Sequence, residues 1–204
     1  VRSSAASDVY KRQAAGMAGG STDAAATLKG MNRLFDLGCT LKDLMELGVK
    51  IGADVPYCVM GGTALAEGIG EKLTPLAPAP DCYVLVAKPD INVSTKYVYE
   101  HLDAQEIVKH PDIDGMVEAI AEESLQGILD RMENVLETVT VSAYPIIQTI
   151  KDRMKELGAI NSLMSGSGPT VFGIFVEKDM ARRAYDKLEE EQLAKQIFLT
   201  EFCE

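Results

Sequence analysis

Apolar residues recur along this chain with two different periods. Between Leu41 and Val49 they gather on one side, at Leu41, Leu44, Met45 and Val49, with Lys42, Asp43 and Glu46 more exposed, which predicts an amphipathic helix. The alternation over 63–68 predicts a strand, and the short apolar run over 82–87, bounded by prolines, predicts a buried one. Ser21, Thr22 and Asp23 offer N-cap chemistry for a helix over 24–35, and Ser94 does the same for 95–101. Helices are further predicted over 113–121, 125–129, 135–142 and 145–157, the last ended by Gly158 in the C′ position. Strands at 159–164, 170–176 and 197–200 and a helix at 179–192 complete an α+β chain without internal repeats.

Two stretches break this pattern. Residues 1–13 are small or polar and show neither period, so they read as a non-native or disordered segment. Pro75, Pro78 and Pro80 remove donors and stiffen the backbone, and they set a predicted domain boundary that separates 14–79 from 80–204.

At 204 residues and 47% hydrophobic the chain can bury a core, and its net charge of -11 argues against nucleic acid or an anionic membrane as partner. A polyanionic ligand would need backbone amides, a local cation or a metal. Cys39, Cys58, Cys82 and Cys203 are too scattered for a zinc site or a disulfide framework, so reduced, mostly buried thiols are expected. With no apolar stretch long enough to span a bilayer and no signal-peptide core, the expectation is a cytoplasmic protein.

Three segments offer chemistry. Gly16, Gly19 and Gly20 precede a helix start, where backbone N–H groups and the helix dipole suit a phosphate, although a glycine turn made for close packing has the same composition. Neither the Walker A lysine nor the dinucleotide G-x-G-x-x-G spacing is present. Asp54, before Val55-Pro56, reads either as a helix N-cap or as a carboxylate that takes a proton from an attacking hydroxyl. Ser165-Gly166-Ser167-Gly168 reads as a hairpin turn or as a second backbone wall against a ligand. His101, His110 and the run Glu189, Glu190 and Glu191 read as solvated, and Met17, Met45, Met60 and Met164 as packing residues.

Taken in order, AGMAGGSTDAAA, IGADVPYCVMGGTALAEGIGEKL and SLMSGSGPTVFGIF resemble the GHMP small-molecule kinases from Ala14 to the C-terminus, and the pairing of IGADVP with GGTALAEGIGE resembles their methylerythritol branch. The resemblance implies a GHMP-kinase two-domain fold: a partial N-terminal domain with a left-handed βαβ element, then a ferredoxin-like C-terminal domain. It implies that Ala14, Ala15, Gly16, Met17, Ala18, Gly19, Gly20, Ser21 and Thr22 hold the ATP triphosphate, with Ser21 at the Mg²⁺ ion, and that Asp54 is the catalytic carboxylate. Thr95, Tyr99, Gly166, Ser167 and Gly168 would face the substrate, Tyr99 at the position of an aromatic residue that stacks on cytosine. The implied reaction is ATP-dependent phosphorylation of the 2-hydroxyl of 4-diphosphocytidyl-2-C-methyl-D-erythritol by a monomer or homodimer. Another GHMP small-molecule kinase and a catalytically dead, nucleotide-binding regulatory relative are the alternatives. The family pattern also has a Lys-x-Asn element, a Tyr-His pair and several strands ahead of the glycine loop, where this chain has 1–13 with Arg12-Gln13. The expectation is therefore an N-terminally truncated kinase, inactive as written.

Overall fold

The computed structural model describes residues 16–102 and 110–202. These divide into two units, one spanning Ala18–Pro78 and the other running from Ala79 onward with Gly16 and Met17.

In the first unit three helices precede a hairpin: α1 (Gly19–Leu34), α2 (Leu41–Val49), α3 (Val55–Met60), β1 (Ala64–Glu67) and β2 (Lys72–Pro75). The start of α2 is fixed by a capping box, in which the Thr40 hydroxyl accepts from the Asp43 N–H and the Asp43 carboxylate accepts from the Thr40 N–H. Ala25, Leu44, Val55 and Val59 form the buried core of the three helices. Helix α1 opens at Gly19, earlier than the cap residues suggested, so Ser21, Thr22 and Asp23 lie inside its first turns rather than ahead of it. Ala18 makes this possible by adopting the left-handed conformation, with φ 46°, from which its carbonyl accepts the Thr22 N–H at 2.9 Å. Strand β2 falls just ahead of the predicted boundary, in a stretch for which the sequence pattern predicts no element. It pairs antiparallel with β1, and Pro75 is tolerated because it ends a two-stranded ribbon. Among the described residues this pair is the unit's only sheet, so a βαβ element, which needs two parallel strands, is not among them.

The second unit runs β3 (Tyr83–Lys88), α4 (Thr95–His101), α5 (Ile113–Ala121), α6 (Leu125–Asp130), α7 (Glu137–Ala143), α8 (Ile146–Glu156), β4 (Asn161–Met164), β5 (Val171–Phe175), α9 (Lys178–Glu190) and β6 (Gln196–Glu201). Its sheet has the order β4-β5-β3-β6, antiparallel throughout. With helices between β3 and β4 and between β5 and β6, this is the ferredoxin-like arrangement. The apolar run in β3 is continuous because both faces of the strand are covered. Leu85 and Ala87 join Ile147, Ile150, Met154, Ala181, Ala184 and Leu188 of α8 and α9, while Cys82 and Val84 pack with Leu129 of α6 and Ile174.

Cys82 is buried, which pushes its thiol pKa up, and Cys39 and Cys58 are half-buried and unpaired. Cys203, like residues 1–13, lies outside the described residues. Met164 is buried as expected, but Met17 is half exposed and does not pack as a core residue. No described helix is long and apolar enough to cross a membrane.

Candidate active site

The glycine loop divides between the units. Met17 and Gly16 belong with the second, Ala18 to Thr22 with the first, and Ala14 and Ala15 lie outside the described residues.

In the first unit, the amides of Gly19, Gly20 and Ser21 precede the first intrahelical bond of α1, made by Thr22, so the helix itself offers them no acceptor. Ala18 provides no side-chain cap, and a Cβ added at Gly20 would meet nothing within 4 Å. Three amides at the positive end of a 16-residue helix can therefore hold an anion on this acidic chain.

Asp54 stands at the entry to α3, but its backbone is helical at φ -84°, ψ -10° and its side chain makes no capping hydrogen bond. The N-cap reading is thus not realised, and the residue is exposed. One helical turn on, Cys58 Sγ lies 3.6 Å from Thr22 Oγ1, so the helix that Asp54 opens packs against the first turns of α1. Lys29, which the sequence pattern did not single out, reaches the Cys58 carbonyl from α1 at 3.5 Å. The two halves of the distinctive motif pair also meet. Gly70, in the β1–β2 turn at φ +111°, would place a Cβ 3.3 Å from the Ala53 carbonyl. That turn is held by Glu71, whose carboxylate accepts the Ile69 N–H at 2.7 Å. Hydrogen bonds from its own backbone N–H and from that of Ile69 hold the Glu71 carboxyl below the usual glutamate range.

In the second unit the hairpin loop between β4 and β5 makes two outward contacts. Ser165 Oγ donates to the Gly16 carbonyl at 2.6 Å, and the hydroxyls of Ser167 and Thr95 lie 2.8 Å apart. Gly166 and Gly168 take φ +55° and +86°, as the hairpin reading requires. Tyr99 sits one turn beyond Thr95 on α4 and is 62% exposed, so it is not a core aromatic. Sequence reasoning missed what holds this loop from behind: Asn134, Glu137 and Thr140, which bond its backbone. Their only sequence signal is polar side chains on or just ahead of α7, a helix of mixed polar and apolar residues.

Among the described residues no cluster of three or more His, Cys, Asp or Glu side chains is arranged to hold a metal ion. A divalent cation here would be held chiefly through phosphates, the usual habit of Mg²⁺, with an oxygen such as the Ser21 hydroxyl beside it.

A helix start with open amides and a carboxylate that makes no cap in one unit, and a ferredoxin-like sheet with a glycine hairpin in the other, define the class: a two-unit α+β protein with a glycine loop leading into a helix. Residues 4–62 match the GHMP kinases N terminal domain and residues 116–195 the GHMP kinases C terminal domain, the first match taking in residues ahead of Ala14. The chain belongs to the GHMP kinase family. It is 57% identical over 191 residues to the 4-diphosphocytidyl-2-C-methyl-D-erythritol kinase of Lachnoclostridium phytofermentans, covering 94% of this chain and 66% of that protein. To the same-named kinase of Lachnospira eligens it is 57% identical over 188 residues, covering 92% and 65%. A crystal structure of 4-(cytidine 5'-diphospho)-2C-methyl-D-erythritol kinase superposes with a TM-score of 0.78 at 32% identity, covering 93% of this chain and 66% of that one. A homoserine kinase from Cytophaga hutchinsonii, at TM-score 0.76 and 20% identity over 93% of this chain and 65% of its own, shares the fold alone. The chain thus spans about two thirds of the length of these relatives.

Proposed function

We propose that the protein bearing this chain transfers the γ-phosphoryl group of ATP to the 2-hydroxyl of 4-diphosphocytidyl-2-C-methyl-D-erythritol, in the cytoplasm, as a step of non-mevalonate isoprenoid precursor synthesis. The observation that carries the reading is the pairing, within one unit, of unsatisfied amides at the start of α1 with an Asp54 carboxylate that caps nothing. The names of the relatives at 57% identity supply the substrate.

On this reading Gly19, Gly20 and Ser21 hold the triphosphate by their amides, the remaining residues from Ala14 to Thr22 are assigned to the same site by sequence alone, and the Ser21 hydroxyl would be the side-chain oxygen offered to a Mg²⁺ ion. The cation neutralises phosphate charge when bound. Transfer forms a bond from the alcohol oxygen to phosphorus and breaks the bond from the γ-phosphorus to the β,γ-bridging oxygen, releasing ADP. The alcohol is tertiary and a poor acid, so its proton leaves late, and a free carboxylate at Asp54 accepts it or orients the hydroxyl for attack. Thr95, Gly166, Ser167 and Gly168 bind the substrate, and the exposed Tyr99 ring is free to stack on the cytosine.

A substrate panel tests this reading. The full-length protein is supplied with ATP·Mg²⁺ and, separately, the diphosphocytidyl alcohol, mevalonate and homoserine, and ADP is measured. ADP formed with the first alone supports the assignment; a preference for either of the others transfers it to another GHMP kinase activity.

A further inference from the structure

The loop that joins β4 and β5 needs no help to close. Ser165 N–H bonds the Thr170 carbonyl at 2.8 Å and Gly168 N–H bonds the Ser165 carbonyl at 2.9 Å, which completes a hairpin by backbone alone. Yet three side chains from one short segment hold it again. Asn134 donates from Nδ2 to the carbonyls of Met164 at 2.9 Å and Gly166 at 2.8 Å. Glu137 Oε1 accepts the Met164 N–H at 2.7 Å, and Thr140 Oγ1 donates to the Ser167 carbonyl at 3.2 Å.

These side chains are themselves fixed. Asn134 Oδ1 accepts the Leu136 N–H at 3.0 Å, so its amide cannot rotate freely. Glu137 Oε2 pairs at 2.5 Å with Lys151, a buried lysine of α8. Thr140 is fully buried. Not all of this is required to satisfy buried groups: Gly166 is exposed, and its carbonyl could bond water instead of Asn134. The result is directional, with the loop backbone held from behind while the hydroxyls of Ser165 and Ser167 reach forward to Gly16 and Thr95.

We infer that Asn134, Glu137 and Thr140 are positioning residues for phosphoryl transfer, a bracket that sets the hairpin loop and, through Ser165 and Ser167, the entry of the nucleotide loop at Gly16 and the substrate helix at Thr95. The inference rests on the kinase reading. Preorganised groups displaced by about 1 Å lose about 10²-fold in rate, so the bracket acts on turnover more than on folding.

The test uses the full-length protein and two near-isosteric changes. Asn134→Asp keeps the acceptor for Leu136 but removes both donors; Thr140→Val removes one donor at constant shape, and Thr140→Ser restores it. Expected is a fall in kcat per folded molecule of about 10- to 100-fold in Asn134→Asp and a smaller fall in Thr140→Val, with Thr140→Ser within about threefold of the parent. Values of kcat per folded molecule within about twofold of the parent in both removal variants would overturn the inference. If Asn134→Asp does not fold, Thr140→Val against Thr140→Ser decides it. Amide exchange over 166–168 separates the two layers of the argument. A parent inactive on the diphosphocytidyl alcohol overturns the kinase reading; the bracket then stands only if exchange in the loop quickens in Asn134→Asp, and falls if it does not.

Discussion

The Ser165 hydroxyl donates a 2.6 Å hydrogen bond to the Gly16 carbonyl, joining positions 149 residues apart in the chain. Gly16 is held there at φ +70°, and a Cβ on it would fall 2.3 Å from the Ser165 carbonyl oxygen, a backbone atom that cannot swing aside. Gly16→Ala is therefore expected to cost about 2 kcal/mol or more, from the left-handed backbone and the clash together. Ser165→Ala, which loses one hydrogen bond, is expected to cost about 0.5–1.5 kcal/mol. Urea midpoints rank the two, and a Gly16→Ala variant as stable as the parent would contradict the observed approach.

Gly20 gives the opposite sign. It lies in the first turn of α1 with open space where a side chain would be, so Gly20→Ala is expected to leave stability unchanged or raise it by up to about 1 kcal/mol. If that space belongs to phosphate, ATP affinity falls at the same time. Thermal unfolding and nucleotide titration of one variant separate the cases: affinity retained with stability retained would mean that the space serves no ligand.

The turn beside Asp54 is expected to be acid-sensitive. The folded pKa of Glu71 is depressed below its ordinary value of 4.5, so its stabilisation is fully present above that pH and is lost as pH falls through the folded value. The stability difference between the parent and Glu71→Gln is accordingly expected to be largest near neutrality and to close in acid. A difference that grows as pH falls would reverse the sign and refute the assignment.

Lys151 and Glu137 form a largely buried pair. Lys151→Met leaves the Glu137 carboxylate without its cation and is expected to cost about 3 kcal/mol, most of it recovered when Glu137→Gln is added, since a neutral amide oxygen still accepts the Met164 N–H. Chemical denaturation of the two singles and the double measures the coupling, and additive losses would show that the pair is not one unit.

Local chemistry was legible in the sequence where a cap residue or an apolar period sets an element. Ser94 marks the start of α4 through its bond from the Tyr97 N–H, and the pattern over 41–49 gives α2 without adjustment. The start of α1 was misplaced because Gly19 and Gly20 look like loop residues, while the left-handed turn at Ala18 that lets the helix begin there leaves no trace in composition. Strand β2 was hidden by Pro75, whose cost vanishes at the end of a two-stranded ribbon. At the candidate site, the residues proposed for it, Asp54 and the glycines, stand out by residue type. Asn134, Glu137 and Thr140 do not, because their partners lie 27 to 32 residues away and only the fold brings a helix start against a hairpin.

The most direct test of the account is the product itself. Phosphorus NMR of the full-length protein with ATP·Mg²⁺ and 4-diphosphocytidyl-2-C-methyl-D-erythritol is expected to give ADP and a new phosphomonoester on the 2-hydroxyl in equal amounts. Turnover is expected to be lower by about 10² to 10⁴ in Asp54→Asn, with its fold and ATP affinity kept. ADP without the phosphomonoester, or an Asp54→Asn variant that makes it at the parental rate, would contradict the account.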